Sequence, residues 1–157
     1  MTNLTFYGVV NEVGGNKILL EDKDAKIFLD FGMSFGQANK YFSEFLQPRK
    51  CNGLRDFIEF GLVPDIKGLY RLDFLKKMGR PNEELDIDGV LLSHAHADHA
   101  SYINHLREDL PIFCSHETFS ILKAMNDTGA GSFNGITDLT RCFETYINKK
   151  GELSRKN

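Results

Sequence analysis

Leu4, Phe6, Gly8 and Val10 alternate with other residues, the two-residue period of a half-buried strand. Two apolar runs follow, Lys17-Ile18-Leu19-Leu20-Glu21 and Ala25-Lys26-Ile27-Phe28-Leu29, with Asp22-Lys23-Asp24 between them. Runs of this length around a short acidic turn predict a β-hairpin. Further on the period changes. Tyr41, Phe42, Phe45 and Leu46 within Gln37–Leu46, and Leu54, Phe57 and Ile58 within Leu54–Phe60, are spaced for helices, the first ended by Pro48. Pro64, Gly68, Gly79 and Pro81 then break the pattern into short pieces.

Ile87-Asp88-Gly89-Val90-Leu91-Leu92-Ser93 is an apolar run short enough for a buried strand. Ala100, Ile103 and Leu106, with Tyr102 beside them, mark a helix face after it. Pro111-Ile112-Phe113-Cys114 predicts a further short strand. Ser115 is placed to cap a helix, Glu117 suits its first turn, and Phe119, Ile121, Leu122 and Met125 form its apolar face. Gly129-Ala130-Gly131-Ser132 reads as a loop without the spacing of a phosphate-binding fingerprint. Residues 148–157 are polar and predict a flexible tail, so residues 1–147 form one domain. Strands interspersed with helices point to an α/β (α+β) fold.

Composition narrows the class. A chain of 157 residues, 41% hydrophobic and 26% charged, suffices for one domain with a core. No apolar run approaches the roughly 20 residues that cross a bilayer, so no membrane association is expected. Met1-Thr2-Asn3-Leu4-Thr5 lacks the basic and apolar regions of a signal peptide. Cys51, Cys114 and Cys142, odd in number and widely spaced, read as reduced thiols of a cytoplasmic protein. Cys114, two residues before His116, is either a buried packing residue or a metal ligand. A net charge of −3 argues against a generally basic nucleic-acid binder. Leu46 to Arg80 nevertheless holds eight Lys or Arg against four Asp or Glu, with Tyr70 among them. That stretch is either a groove for a phosphate backbone or a solvated face.

The chemistry concentrates in Ser93-His94-Ala95-His96-Ala97-Asp98-His99, which carries three of the five histidines. Imidazole and carboxylate are common ligands of zinc and similar ions. In extended backbone, His94 and His96 point the same way and can share one ion. Asp98 and His99 fall where the chain turns into a helix, so they project differently and can serve a second. Two ions about 3.5–4 Å apart can clamp both oxygens of a displacement.

His94-x-His96-x-Asp98-His99 resembles the HxHxDH signature of the metallo-β-lactamase superfamily. Ile27-Phe28-Leu29-Asp30-Phe31-Gly32 resembles that superfamily's first motif, an Asp-Gly pair closing an early strand. Gly8-Val9-Val10-Asn11-Glu12-Val13-Gly14-Gly15-Asn16 resembles the opening loop of its ribonuclease J and β-CASP nuclease branch. Taken as a sequence alone, Gly14-Gly15-Asn16 is either a tight turn or part of the site's rim.

The resemblance implies the N-terminal half of a four-layer αββα sandwich, a mixed β-sheet with helices on one face. It implies His94 and His96 on one divalent ion, Asp98 and His99 on another, with zinc expected and manganese the alternative. Asp98 would also orient the nucleophile, and Asp30 would fix a ligand's direction from behind. The parent activity implied is that of a nuclease or phosphodiesterase acting on nucleic acid. The same motif serves thioester and lactam hydrolases, so those readings stay open. The superfamily's remaining ligands come from its second half. The later histidines, His105 (expected exposed) and His116, match no such motif, and neither do Asp127 and Asp138. The expectation is a truncated hydrolase, inactive alone, whose uncovered sheet face is buried by self-association or by a separate C-terminal half. The non-enzymatic alternative is a binding or assembly fragment with a relic metal site.

Overall fold

The structure is a computed structural model and describes residues 1–8, 10–42, 46–81, 83–128, 144–151 and 153–156. Five strands form one sheet in chain order: β1 (Asn3–Phe6), β2 (Ile18–Asp22), β3 (Ala25–Leu29), β4 (Gly89–Leu91) and β5 (Ile112–Phe113). The first three pair antiparallel, and β3, β4 and β5 pair parallel. The hairpin of β2 and β3 forms as expected. It turns through Lys23 and Asp24, with Lys23 left-handed at φ 49°.

Parallel strands cannot be joined by a tight turn, and the chain from residue 30 to residue 88 supplies the crossover from β3 to β4. It carries the helices α1 (Phe35–Tyr41), α2 (Arg55–Glu59) and α3 (Leu72–Lys77). After β4 come α4 (Ala97–Ala100) and, following β5, α5 (His116–Thr128). α1 starts two residues before the predicted helix because the Ser34 hydroxyl accepts from the Gln37 amide at 3.1 Å and caps it. It ends at Tyr41, where Phe42 turns extended. Tyr41 stacks on Phe60, centroids 4.3 Å apart, and ties α1 to the end of α2. Ser115 caps α5 through the Thr118 amide at 3.2 Å, as the sequence suggests.

The sheet has two unlike faces. Leu19, Phe28 and Val90 stand opposite one another in register, and all three are buried. Phe31 meets Phe28 edge-on at 5.1 Å, and Leu54, Leu62, Leu69, Leu75, Tyr102 and Leu106 complete the same core. On the other face Phe6, Ile18, Leu29, Leu91 and Phe113 form a row across all five strands. Phe6 is 52% exposed, Leu91 49% and Phe113 55%. The result is a mixed sheet with helices, the arrangement expected of a partial metallo-β-lactamase-type fold.

Several expectations change in three dimensions. Phe119 and Ile121, predicted on the buried face of α5, are exposed, and Thr118 and Leu122 are its buried residues. The polar C-terminal stretch, predicted as a flexible tail, contains the strand β7 (Leu153–Lys156), paired antiparallel with β6 (Glu144–Ile147). The turn between them is closed by the Asn148 side chain, which accepts from the Lys150 amide at 2.9 Å, and by Gly151 at φ 77°. Phe45, the loop Gly129–Ser132, Asp138 and Cys142 lie outside the described residues.

His105, expected exposed, packs its ring against Phe57, Tyr102 and Phe74, with centroids 5.1, 5.1 and 5.7 Å away. A short 3₁₀ turn, Ile103–His105, replaces the predicted continuous helix and rotates the ring inward. Burial, assisted by the positive charge of Arg71, lowers its pKa from 6.5 to about 3. The imidazole therefore folds neutral, and the unfolded chain takes up the extra proton first as pH falls. Stability is present above pH 6.5 and is lost on the way down toward pH 3. Between pH 6.5 and about pH 4.5, His105 contributes a loss of roughly 2–3 kcal/mol in urea unfolding, which His105→Leu removes. An identical acid slope in the two proteins would contradict the buried neutral ring.

Candidate metal centre

Asp30 leaves β3 and Ser93 lies just past β4, at the C-terminal ends of neighbouring parallel strands. Chemistry gathers at such ends in α/β architectures. The Asp30 amide continues the ladder by donating to the Leu91 carbonyl at 3.0 Å. Its backbone then turns left-handed, φ 60°, a region that aspartate tolerates better than most side chains. This turn aims the carboxylate across the strand ends. Asp30 Oδ1 accepts from the Ser93 amide at 2.7 Å and Oδ2 from the Ser93 hydroxyl at 2.8 Å. Oδ2 also lies 2.7 Å from His99 Nδ1.

These bonds set the protons on two histidines. With His99 Nδ1–H donating to Asp30, its Nε2 carries the lone pair. With the Ser93 hydroxyl donating to Asp30, the same oxygen accepts from His94 Nδ1, 2.9 Å away, and His94 Nε2 is likewise left as an acceptor.

The four predicted ligands come together. His94 and His96 have ring centroids 4.6 Å apart, and His94 and His99 4.0 Å. His96 is the extended residue before α4, and Asp98 and His99 sit on the first turn of that helix. Asp98 Oδ2 is 3.4 Å from His99 Nε2. Among the described residues no group of three or more His, Cys, Asp or Glu is arranged so that it could hold a metal ion. The donors stand as neighbouring pairs. In kind they are donors a divalent ion takes: a carboxylate and three imidazoles, two of which, His94 and His99, have the far nitrogen hydrogen-bonded.

The other candidates lie elsewhere. His116 is exposed at the start of α5, and Asp127 pairs with Lys123 at 2.5 Å on the exposed side of that helix. Cys114 packs against the core. In the basic stretch Arg49 pairs with Asp56, Arg71 with Asp73, and Arg80 with both Asp65 and Glu83. The Arg49 guanidinium holds the Asp56 carboxyl down to about 2.

The opening loop packs directly on the motif. The Asn16 amide donates to the Asp98 carbonyl at 3.0 Å, and the Asn16 side-chain nitrogen lies 3.0 Å from His99 Nε2. Gly32 donates to the Asn16 carbonyl at 3.0 Å, Phe31 to the His99 carbonyl at 2.8 Å and Met33 to the Ala97 carbonyl at 3.2 Å. Gly14, at φ 84°, lies so close that a Cβ there would stand 2.8 Å from Asp98 Cβ.

Sequence reasoning missed four residues here. In the sequence Ser93 only opens the histidine stretch, Asn16 and Gly32 only belong to their motifs, and Lys17 only starts a strand. Lys17 is instead 1% exposed, with its ammonium donating to the Gly15 and Gly32 carbonyls at 3.1 and 2.8 Å. Burial pushes its pKa down to about 8, against the opposing pull of Glu12. A lysine between an Asn and an apolar run was the one available signal.

Residues 63–140 match the family model described as the Beta-lactamase superfamily domain, which supports that superfamily. A crystal structure of a protein of unknown function from Enterococcus faecalis V583 aligns over 94% of this chain with 30% sequence identity and a TM-score of 0.63. The present chain spans 34% of that protein's chain. No curated protein matches it. Among the described residues no helix is long and apolar enough to cross a membrane.

Gly32 tests the backbone lacing. A Cβ at this position would stand 1.9 Å from the Asp98 carbonyl oxygen. Gly32→Ala is expected to cost about 1–3 kcal/mol in urea unfolding, the usual price of forced overpacking, and to shift the His99 ring signals. Unchanged stability together with unchanged His99 signals would refute the close approach.

Proposed function

We propose that this chain is the motif-bearing part of a metal-dependent hydrolase, a nuclease or phosphodiesterase akin to the ribonuclease J and β-CASP branch. The observation that carries the reading is the convergence of His94, His96, Asp98 and His99 at one strand end, with His94 and His99 held so that Nε2 is the lone-pair nitrogen. In this reading His94 and His96 hold one divalent ion, and Asp98 and His99 hold a second. Zinc suits the nitrogen-rich donors, and manganese is the alternative. Such an ion supplies a Lewis acid and makes water acidic enough to react near neutral pH.

The chain's own residues do the rest. Asp30 keeps the His99 proton on Nδ1 and stops the ring from turning away. Ser93 relays the same carboxylate to His94. Asp98, half-buried beside His99, would aim the attacking water. The nuclease preference rests on the opening loop, whose Asn16 and Gly14 touch Asp98 and His99. The basic stretch supports it less, because its arginines Arg49, Arg71 and Arg80 already face carboxylates. Thiols at Cys51 and Cys114 accord with a cytoplasmic setting. The exposed row of Phe6, Leu91 and Phe113 supports a covering partner, either further polypeptide of a longer protein or a second copy.

Metal analysis after dialysis tests the centre. A bound ion is expected, weakened at least tenfold in the His94→Ala/His96→Ala double variant. Equal metal content in the two proteins would remove the centre from these residues. Substrate class is tested by comparing RNA cleavage with thioester and lactam hydrolysis in the longest available form of the protein. RNA cleavage lost on Asp98→Asn is the expected result, and hydrolysis of a thioester or lactam alone would replace the nuclease reading.

A further inference from the structure

Lys17 is the one ammonium that the described core encloses. It touches none of the four ligand side chains, yet it sits between the two loops that support them. Its Nζ donates to the Gly15 carbonyl in the opening loop and to the Gly32 carbonyl in the loop after β3. Each carbonyl is a short step from a residue on His99. Gly15 precedes Asn16, whose side-chain nitrogen lies 3.0 Å from His99 Nε2. Gly32 is two residues from Asp30, whose carboxylate lies 2.7 Å from His99 Nδ1. The Gly32 amide bonds back to the Asn16 carbonyl, so the ammonium and this amide join the same two loops at adjacent points. Below the ammonium lies the Tyr102 ring, 5.6 Å from Nζ to its centroid, and the Tyr102 amide bonds the Phe31 carbonyl at 3.0 Å.

Burying an ammonium costs free energy unless its donors are satisfied, and a methionine would fill the same space more cheaply. Core stability alone does not explain a lysine here. Two backbone carbonyls from different loops are what a charged, three-donor head can bind together and an apolar side chain cannot.

We propose that Lys17 is a positioning residue for His99: its ammonium clamps the opening loop to the loop after β3 and so fixes Asn16 and Asp30 on the two sides of the imidazole. The proposal concerns the metal centre proposed above and deepens it. The clamp itself exists without an ion and can be read without one.

The test compares wild type with Lys17→Met, which keeps the volume and removes the donors. In metal-free protein treated with a chelator, the ring-nitrogen NMR signals of His99 report which nitrogen carries the proton. Wild type is expected to show the Nδ1–H form. K17M is expected to show a mixture of tautomers at a urea midpoint close to wild type. Cobalt(II), titrated as an optical probe, is expected to bind K17M at least tenfold more weakly. Wild-type ring signals and wild-type cobalt affinity in folded K17M would overturn the proposal. If wild type binds no cobalt at His94 and His96, the metal reading fails, and the metal-free His99 signals still decide for or against Lys17. Should K17M not fold, Lys17→Gln, which retains one amide donor group on a shorter stem, is read by the same two outcomes.

Discussion

A single carboxylate holds the strand ends together. Asp30 stands where β3 stops, turned left-handed, and its two oxygens bind the Ser93 amide, the Ser93 hydroxyl and His99 Nδ1. Three acceptor contacts from one buried anion do two jobs at once. They join β3 to the segment leaving β4 beyond the last ladder bond. They also decide the tautomer of His99 directly and that of His94 through Ser93. Without that carboxylate the motif would still lie at a strand end, but its rings would be free to turn.

Backbone contacts then press three segments into one support. Asn16, Gly32 with Phe31 and Met33, and Ala97 to His99 exchange amide hydrogen bonds of 2.8–3.2 Å. This lacing explains why glycine is needed where the segments touch. Any side chain at Gly32 would occupy the place of the Asp98 carbonyl, and one at Gly14 would meet Asp98 itself. The buried ammonium of Lys17 lies in the same seam. A site built on chain segments held this way moves as a unit, which preorganises ligands at little entropic cost during binding.

The sheet gives the site its setting and also its asymmetry. One face is sealed by Phe28, Val90 and the residues of the crossover and the segments after β4. The other presents an apolar row from Phe6 to Phe113. Loss of each large apolar side chain to water forfeits roughly 1.5–3 kcal/mol, so such a row is costly to leave in water. The basic stretch shows the opposite case. Three of its cations, Arg49, Arg71 and Arg80, are tied to Asp56, Asp73, Asp65 and Glu83.

Much of this was legible in the residues themselves. The β2–β3 hairpin, the strand before His94 and the Ser115 cap follow from period and turn chemistry, which act over a few neighbours. The grouping of His94, His96, Asp98 and His99 follows from their being adjacent in the chain. Other features needed the third dimension. Lys17 looks like a strand's polar edge until the neighbouring Gly15 carbonyl and the more distant Gly32 carbonyl close over it, and His105 looks solvated until the 3₁₀ turn swings it among Phe57, Phe74 and Tyr102. Phe119 and Ile121 have helical spacing, but spacing cannot say whether anything lies opposite. Local pattern determines which elements form, because their hydrogen bonds and rotamers are near in sequence. Which polar groups end up buried, paired or aimed at a histidine depends on segments as far apart as Asn16, Asp30 and His99, and only the folded chain brings them within reach.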